Sequence, residues 1–382
     1  MLRSLYSIKG EHNSLFFLLS FSLSFYNTMF FMNQQRDIAE KKINVNPVTK
    51  TGHVIQNDGS FVAVKHVHKI ATFIQHWQLR NLIVSPCNST LIRTKRNALY
   101  TYDTKAGVDS CCQDSLPFTP TSIHTKCGFL ALGGQTGMLM IKDLSTGWYD
   151  IKTAGRGMNN SICLSQHQDE IRMTVCNNDQ TVSVFSVPDM EKIQTLKMPS
   201  AINFCSVSPD SKKVLLTSDQ GVAYLYTINQ DGFYTDKCEY KVSDEPSLSC
   251  AWHQSSEMFA VASQDGLVGM YTIHSATRLC QLGSAETRKT KKAPRSIQFS
   301  TGPLDLLAYA DHVNHVYVVD TRTFETRQIV RLSPENEDHS ITGLTFSPNS
   351  RSLYVGLEDR LVELQVDVSA RRQFGGGRLI PF

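Results

Sequence analysis

The sequence predicts an all-β chain, a seven-bladed β-propeller closed by an N-terminal strand that completes the last blade. Three observations carry that expectation. An apolar strand, a Ser-Pro-like turn, a second apolar strand, an Asp/Asn/Gly turn and a third apolar strand recur seven times, ending at Asp103, Asp143, Ser186, Thr227, Thr272, Asp320 and Gln365. Successive ends lie 40, 43, 41, 45, 48 and 45 residues apart, the repeat length of propeller blades and longer than ankyrin, tetratricopeptide or leucine-rich units. Six residues before each end stand Asn97, Gly137, Gln180, Gly221, Gly266, Asn314 and Asp359, each a turn former or beside one, as a tight hairpin with positive φ requires.

The strands justify the architecture in turn. Runs such as "VLLT", "VAYLYTI", "LLAYA" and "HVYVVD" are apolar on nearly every residue. A sheet wetted on one face would alternate, so short unbroken runs between turns indicate strands covered on both faces, as in stacked blades. Residues 60–74, "SFVAVKHVHKIATFI", precede the first copy with strand-like alternation. They are expected to supply the outermost strand of the last blade, so that the termini fasten the ring. Helical periodicity is nearly absent between 60 and 368.

Composition narrows the function classes. Hydrophobic residues make up 41% and charged residues 19%, a folded globular balance. A net charge of +3 lacks the concentrated basicity that phosphate-dominated binding demands, which disfavours nucleic acid as a partner. The ten cysteines form no C-x-x-C pair, and most sit in apolar runs such as "IRMTVCNND". That usage fits a reducing compartment, cytoplasmic or nuclear.

The propeller is expected over 46–374, with an N-terminal extension over 1–45 and a fraying tail over 375–382. Within the extension, residues 15–32 are uncharged and follow a weakly basic lead. Three readings stand side by side: a start-site artefact with Met29 or Met32 as the true first residue, a membrane-directed signal or anchor, which would tether the propeller, and a merely disordered tail.

With these residues in view, the repeats resemble a divergent WD-repeat protein. The Trp-Asp pair is nowhere intact, its place taken by Tyr102-Asp103, Lys142-Asp143, Phe185-Ser186, Tyr226-Thr227, Tyr271-Thr272, Val319-Asp320 and Leu364-Gln365. Stretches such as "NNSICLSQHQDEIRMTVCNNDQTVSVFSVPDMEKIQTLKMPSAINFCSVSPDSKKVLLTSDQG", "GPLDLLAYADHVNHVYVVDTR" and "FSPNSRSLYVGLEDRLVELQVDVSARRQF" are together similar to uncharacterised fungal WD-repeat proteins. Those relatives carry a short C-terminal domain of unknown function (DUF2415-like), expected in the last blade. The resemblance spans about residues 70–374. It implies a non-catalytic scaffold or adaptor for protein partners, within a larger complex of, for example, the ubiquitin-ligase type.

No catalytic, cofactor or metal site is legible. The chain lacks G-x-S-x-G, H-E-x-x-H, P-loop and dinucleotide fingerprints. No cofactor or small-molecule ligand is expected, although a propeller enzyme built around the central channel is the alternative. Asp179, Asp219, Asp265 and Asp359 share an offset from the blade ends and are read as turn residues bonding nearby backbone N–H groups. Glycines 133, 134 and 137 are read as a tight hairpin, and His66 with His68 as an exposed strand face. Two features are assigned to partner binding. Trp148, in a loop after "STG", is a candidate exposed anchor. The basic loop "GSAETRKTKKAPR", with Arg288, Lys289, Lys291, Lys292 and Arg295, could meet an acidic partner, more credibly if the basic turn "RTKRN" (93–97) shares its face.

Overall fold

The computed structural model describes residues 57–283, 292–334 and 336–369. The expected extension over 1–45 with its stretch 15–32, the tail 375–382, and Arg288, Lys289 and Lys291 lie outside the described residues.

Seven four-stranded antiparallel sheets form the ring. The first blade runs Ile83–Cys87, Thr90–Lys95, Ala98–Asp103 and Val108–Gln113, and the same meander repeats through the sixth, Pro294–Phe299, Leu306–Asp311, His315–Asp320 and Arg327–Arg331. The seventh blade takes Ile341–Phe346, Ser352–Leu357 and Leu361–Val366 from the end of the chain and Val62–His68 from its front. Val62 lies opposite Val366 and His68 opposite Leu361, antiparallel, with an irregularity between Val64 and His66. The ring is therefore fastened as the sequence predicts. Up to residue 366, the described residues contain one helical turn, the 3-10 segment Gly302–Leu304.

The repeating pattern captured three strands per blade, and the structure adds a fourth on the rim. Those outer strands, such as Val108–Gln113 and Arg327–Arg331, are exposed over much of their length. A strand covered on one face only has no need of unbroken apolar residues, so it carries little signal.

Apolar faces of neighbouring blades interdigitate in seven clusters, one per interface. The interface of blades six and seven holds 17 buried residues, including Leu306, Val318, Leu353 and Leu364. The interface of blades seven and one holds only Ile70, Ile83, Leu91, Tyr102, Tyr354 and Leu361. At about 1.5–3 kcal/mol per fully buried large aliphatic side chain, that seam is the weakest apolar joint in the ring, and a polar network reinforces it. Glu363, 2% exposed, accepts from Lys65 Nζ at 2.9 Å and Ser352 Oγ at 2.8 Å. His68 Nε2 lies 3.5 Å from its other oxygen, and His68 Nδ1 is 2.9 Å from the Tyr102 hydroxyl of blade one. The exposed face expected for His66 and His68 is thus wrong for His68, which is buried. It sits where the closing strand ends and blade one packs over it.

Positive φ falls at Gly137, Gln180, Gly221, Gly266 and Asn314, five of the seven expected hairpin positions. Blade one places it on Arg96 rather than Asn97, and the Asp359 turn does without it. Gly221 shows the requirement most directly: a Cβ there would meet the Ser243 carbonyl oxygen at 2.2 Å.

Candidate protein-interaction surface at the channel mouth

Antiparallel meanders sort the loops by face. Each connection into an innermost strand and each turn between second and third strands lie on one face, here the near face; the remaining turns lie on the far face. Lys292 and the 93–97 turn share the near face: the Lys292 carbonyl stands 3.1 Å from where a Cβ on Gly266 would be. Trp148 follows a third strand and lies on the far face, 46% exposed.

One proposed binding residue, Arg295, and one residue of the second basic turn, Arg93, are not where a flexible loop would put them. Arg295 is the second residue of the innermost strand Pro294–Phe299 and only 8% exposed. Arg93 of the "basic turn" is likewise buried, paired with Asp109 at 2.5 Å. Strand register, not charge, decides which way these side chains point. Lys292 is half-buried, its Nζ 3.3 Å from His315 Nδ1.

The connection from the closing strand to blade one, residues 69–82, crosses the near face at the channel mouth. Its ties reach inner strands on both sides. Leu82 N–H donates to the Thr342 carbonyl at 3.2 Å, and Asn81 Nδ2 donates to the Ile123 carbonyl at 3.0 Å. The Ser296 hydroxyl donates to the Arg80 carbonyl at 2.5 Å, and Gln135 Nε2 to the Gln75 carbonyl at 3.1 Å. Blades two, six and seven therefore hold this segment in place. Within it, Gln78 and Leu79 N–H groups donate to His76 Nδ1 at 3.2 and 3.3 Å, while Arg80 Nη1 donates to the carbonyls of His76 and Leu79. The self-bonded turn lifts Trp77 to 63% exposure, the most exposed large apolar residue among the described ones.

Beneath Trp77 lies concentrated positive charge. The Arg295 guanidinium sits 5.7 Å from the Trp77 ring centroid. Arg80, also 8% exposed, is close enough for the two charges to oppose one another. Burial, and then Arg295, hold Arg80 down at about 10, and burial holds Arg295 at about 10. His312, just past the second strand of blade six, has its basicity lowered by burial and by both arginines. Arg80 Nε, Arg295 Nε and His312 Nδ1 are buried and reach no hydrogen-bond partner among the described residues. Beside this cluster, Gln75, Arg96, Asn97, Leu116, Pro117, Phe118 and Thr119 line a cavity of about 350 Å³.

The aspartates expected as turn residues divide. Asp179 and Asp265 accept from the backbone N–H of Thr181 and Leu267, both at 3.1 Å. Asp219 takes a side-chain donor, Asn203 Nδ2 at 2.8 Å, and Asp359 pairs with Arg360 at 3.4 Å. Among the described residues, no three His, Cys, Asp or Glu side chains converge as a metal would need. No helix there is long and apolar enough to cross a membrane. Gly137 makes the expected tight hairpin. Of the ten cysteines, Cys163, Cys176, Cys205, Cys250 and Cys280 are buried, as their apolar settings suggest, whereas Cys87, Cys111 and Cys127 are exposed.

Comparison with solved structures gives the same ring. A structure of U3-55K matches at a TM-score of 0.62 and 12% identity, covering 80% of this chain and 98% of that one. A chain from a crystal structure of the mitotic checkpoint complex matches at a TM-score of 0.66 and 13% identity, covering 85% and 97%. The chain has the fold of a seven-bladed, WD40-like β-propeller. Its sequence is similar to an uncharacterised protein of Schizosaccharomyces pombe, 26% identical over 82% of this chain and 94% of that protein. It also resembles an uncharacterised protein of Saccharomyces cerevisiae, 25% identical over 47% of this chain and 30% of that protein. Similarity to eukaryotic translation initiation factor 3 subunit I of Debaryomyces hansenii is 21%, over 46% and 54%. The uncharacterised protein domain DUF2415 matches residues 292–331. That segment is the sixth blade of the propeller together with Lys292 and Ala293, not the last blade where the resemblance had placed it. It contains Arg295 and His312.

Sequence reasoning missed the mouth. Trp77, Arg80 and His76 form "HWQLR" within a connection between the closing strand and the first copy, and a cation-and-aromatic cluster in an inter-blade segment was the available signal.

Proposed function

We propose that this propeller is a non-catalytic interaction scaffold whose near face, at the channel mouth, receives a protein partner. The observation that carries the reading is Trp77, 63% exposed on a segment that blades two, six and seven hold rigid. A large aromatic side chain presented on a rigid mount loses little conformational entropy on contact, which is what an anchoring residue at an interface needs. The similarity to a subunit of an initiation factor and to a chain of a checkpoint complex supports membership of a multi-protein assembly, of which a ubiquitin ligase is one form. Trp148 on the far face is a second anchor candidate, with Lys292 a cationic neighbour of the mouth.

The test is affinity capture from native cells with the wild-type chain, Trp77→Ala and Trp148→Ala in parallel, read by quantitative mass spectrometry. A discrete set of proteins lost at least tenfold from Trp77→Ala and kept by Trp148→Ala is expected. An identical set recovered by all three chains, or no specific protein with the wild type, would remove the near-face reading.

A further inference from the structure

We infer that the pair Arg80 and Arg295, beneath Trp77, binds an oxyanion carried on a peptide, a carboxylate or a phosphate of the docked partner. This rests on the reading of the near face as a docking surface and names the chemistry it selects.

The inference starts from the cost of burial. A guanidinium taken out of water needs its N–H groups paired and its charge countered. Arg93 shows how this chain does so elsewhere, meeting the Asp109 carboxylate at 2.5 Å. Arg80 and Arg295 are both 8% exposed, yet no ion pair joins either to a carboxylate among the described residues. Their Nε groups, and His312 Nδ1 beside them, are buried without an acceptor there. Adjacent like charges repel, which compounds the cost. Nothing in ring closure requires it, because the innermost strand that carries Arg295 is held by its ladder to Leu306–Asp311. Arg80 Nη1 is bonded to the His76 and Leu79 carbonyls, but the fold leaves both Nε donors unpaired in a largely buried site, and the groups that match a planar or tetrahedral oxyanion are the forked N–H faces of guanidinium.

Trp77 decides in favour of a peptide over a free ion. Its indole stands over Arg295 at 5.7 Å and leaves most of its surface to solvent. A bare ion would use none of that surface. A residue flanking the anion would cover it.

The test uses the full chain and three fluorescent seven-residue peptide pools with randomised flanks and a fixed centre: phosphoserine, glutamate or serine. The wild type is expected to bind at least one anionic pool tenfold or more tightly than the serine pool. The stronger of the two anionic pools identifies the source. That preference should fall below twofold in Arg80→Met and in Arg295→Met, while Trp77→Ala weakens all pools alike. Equal binding of the three pools by the wild type overturns the inference, as does a preference that survives both arginine changes. Should a variant fail to fold, arginine Nε–H NMR signals of the wild type answer instead: titration with inorganic phosphate should shift those of Arg80 and Arg295, and unshifted signals overturn the site. Partner capture that depends on Trp77, together with pools bound alike, would sink the oxyanion and leave the docking surface standing. Shifted arginine signals with no peptide bound would sink the peptide.

Discussion

Two of the places where the ring buries charge treat it oppositely. At the seam of blades seven and one, Glu363 is surrounded by Lys65, Ser352 and His68, with Tyr102 completing the chain of contacts. Burial pushes its carboxyl up, but the hydrogen bonds from Lys65 and Ser352 outweigh it and hold the group below its usual range. At the channel mouth, Arg80 and Arg295, each 8% exposed, meet no carboxylate at ion-pair distance among the described residues; Arg80 Nη1 reaches the His76 and Leu79 carbonyls, but both Nε groups are buried without an acceptor. A satisfied buried charge belongs to the fold. An unsatisfied one, retained against its cost, is a sign that stability has been given up for binding.

Opening the seam is the harshest way to break this comparison. Removal of residues 1–68 takes away Val62–His68 and bares the edge of Leu361–Val366. With Val62 and its neighbours lost, a decrease of at least about 4 kcal/mol is expected from the apolar area alone. Urea unfolding would show it, or the truncated chain would be recovered only as aggregate.

Glu363→Gln probes the network more finely. The change leaves Lys65 without its counter-charge, but Lys65 is 46% exposed and solvent screens it, so about 2 kcal/mol of destabilisation is expected at pH 7. Because the Glu363 pKa is depressed by folding, its contribution is present above the ordinary carboxylate range and fades as pH falls through the folded value. The gap between wild type and variant should therefore close in acid, which denaturation midpoints at pH 7 and pH 3.5 would reveal.

Asp311 shows what an under-compensated carboxyl does. Among the described residues its carboxylate accepts from the Tyr317 hydroxyl alone, at 2.9 Å, and burial pushes it up to about 6 from an ordinary 3.8. A raised carboxyl stabilises the fold least when ionised: the penalty is absent below the unfolded pKa and complete above about pH 6. Asp311→Asn keeps the acceptor and should add up to about 2 kcal/mol at pH 8, with no gain at pH 3.5. Equal effects at both values would contradict the assignment. Smallest of all, Trp77→Ala should move the unfolding midpoint by less than about 0.5 kcal/mol, because most of its surface is already wet.

The ring was legible because the sequence repeats what it needs. "VLLTSDQGVAYLYT" encodes two doubly covered strands and the turn between them, and Gly221 has no tolerable substitute there. Closure was legible from the strand-like run before the first copy. The outer strands were not, because rim strands such as Val108–Gln113 alternate weakly and answer to solvent. The channel mouth escaped for a different reason. Its residues come from a connecting segment, from the second residue of a strand and from the turn just after another, 215 positions apart between Arg80 and Arg295, and no local spacing announces them. The basic stretch 283–295 drew the eye by charge, yet Arg295 matters through burial, which composition does not report.

The most direct test sets the two buried sites against each other in one experiment: unfolding free energies in urea at pH 7 for Glu363→Gln and Arg295→Met. The account predicts opposite signs, a loss for the first and a gain of about 1 kcal/mol or more for the second, since a well-packed apolar chain replaces a buried charge that no carboxylate pairs among the described residues. A loss of stability in Arg295→Met as large as in Glu363→Gln would mean that the mouth is satisfied by the fold after all, and would contradict it.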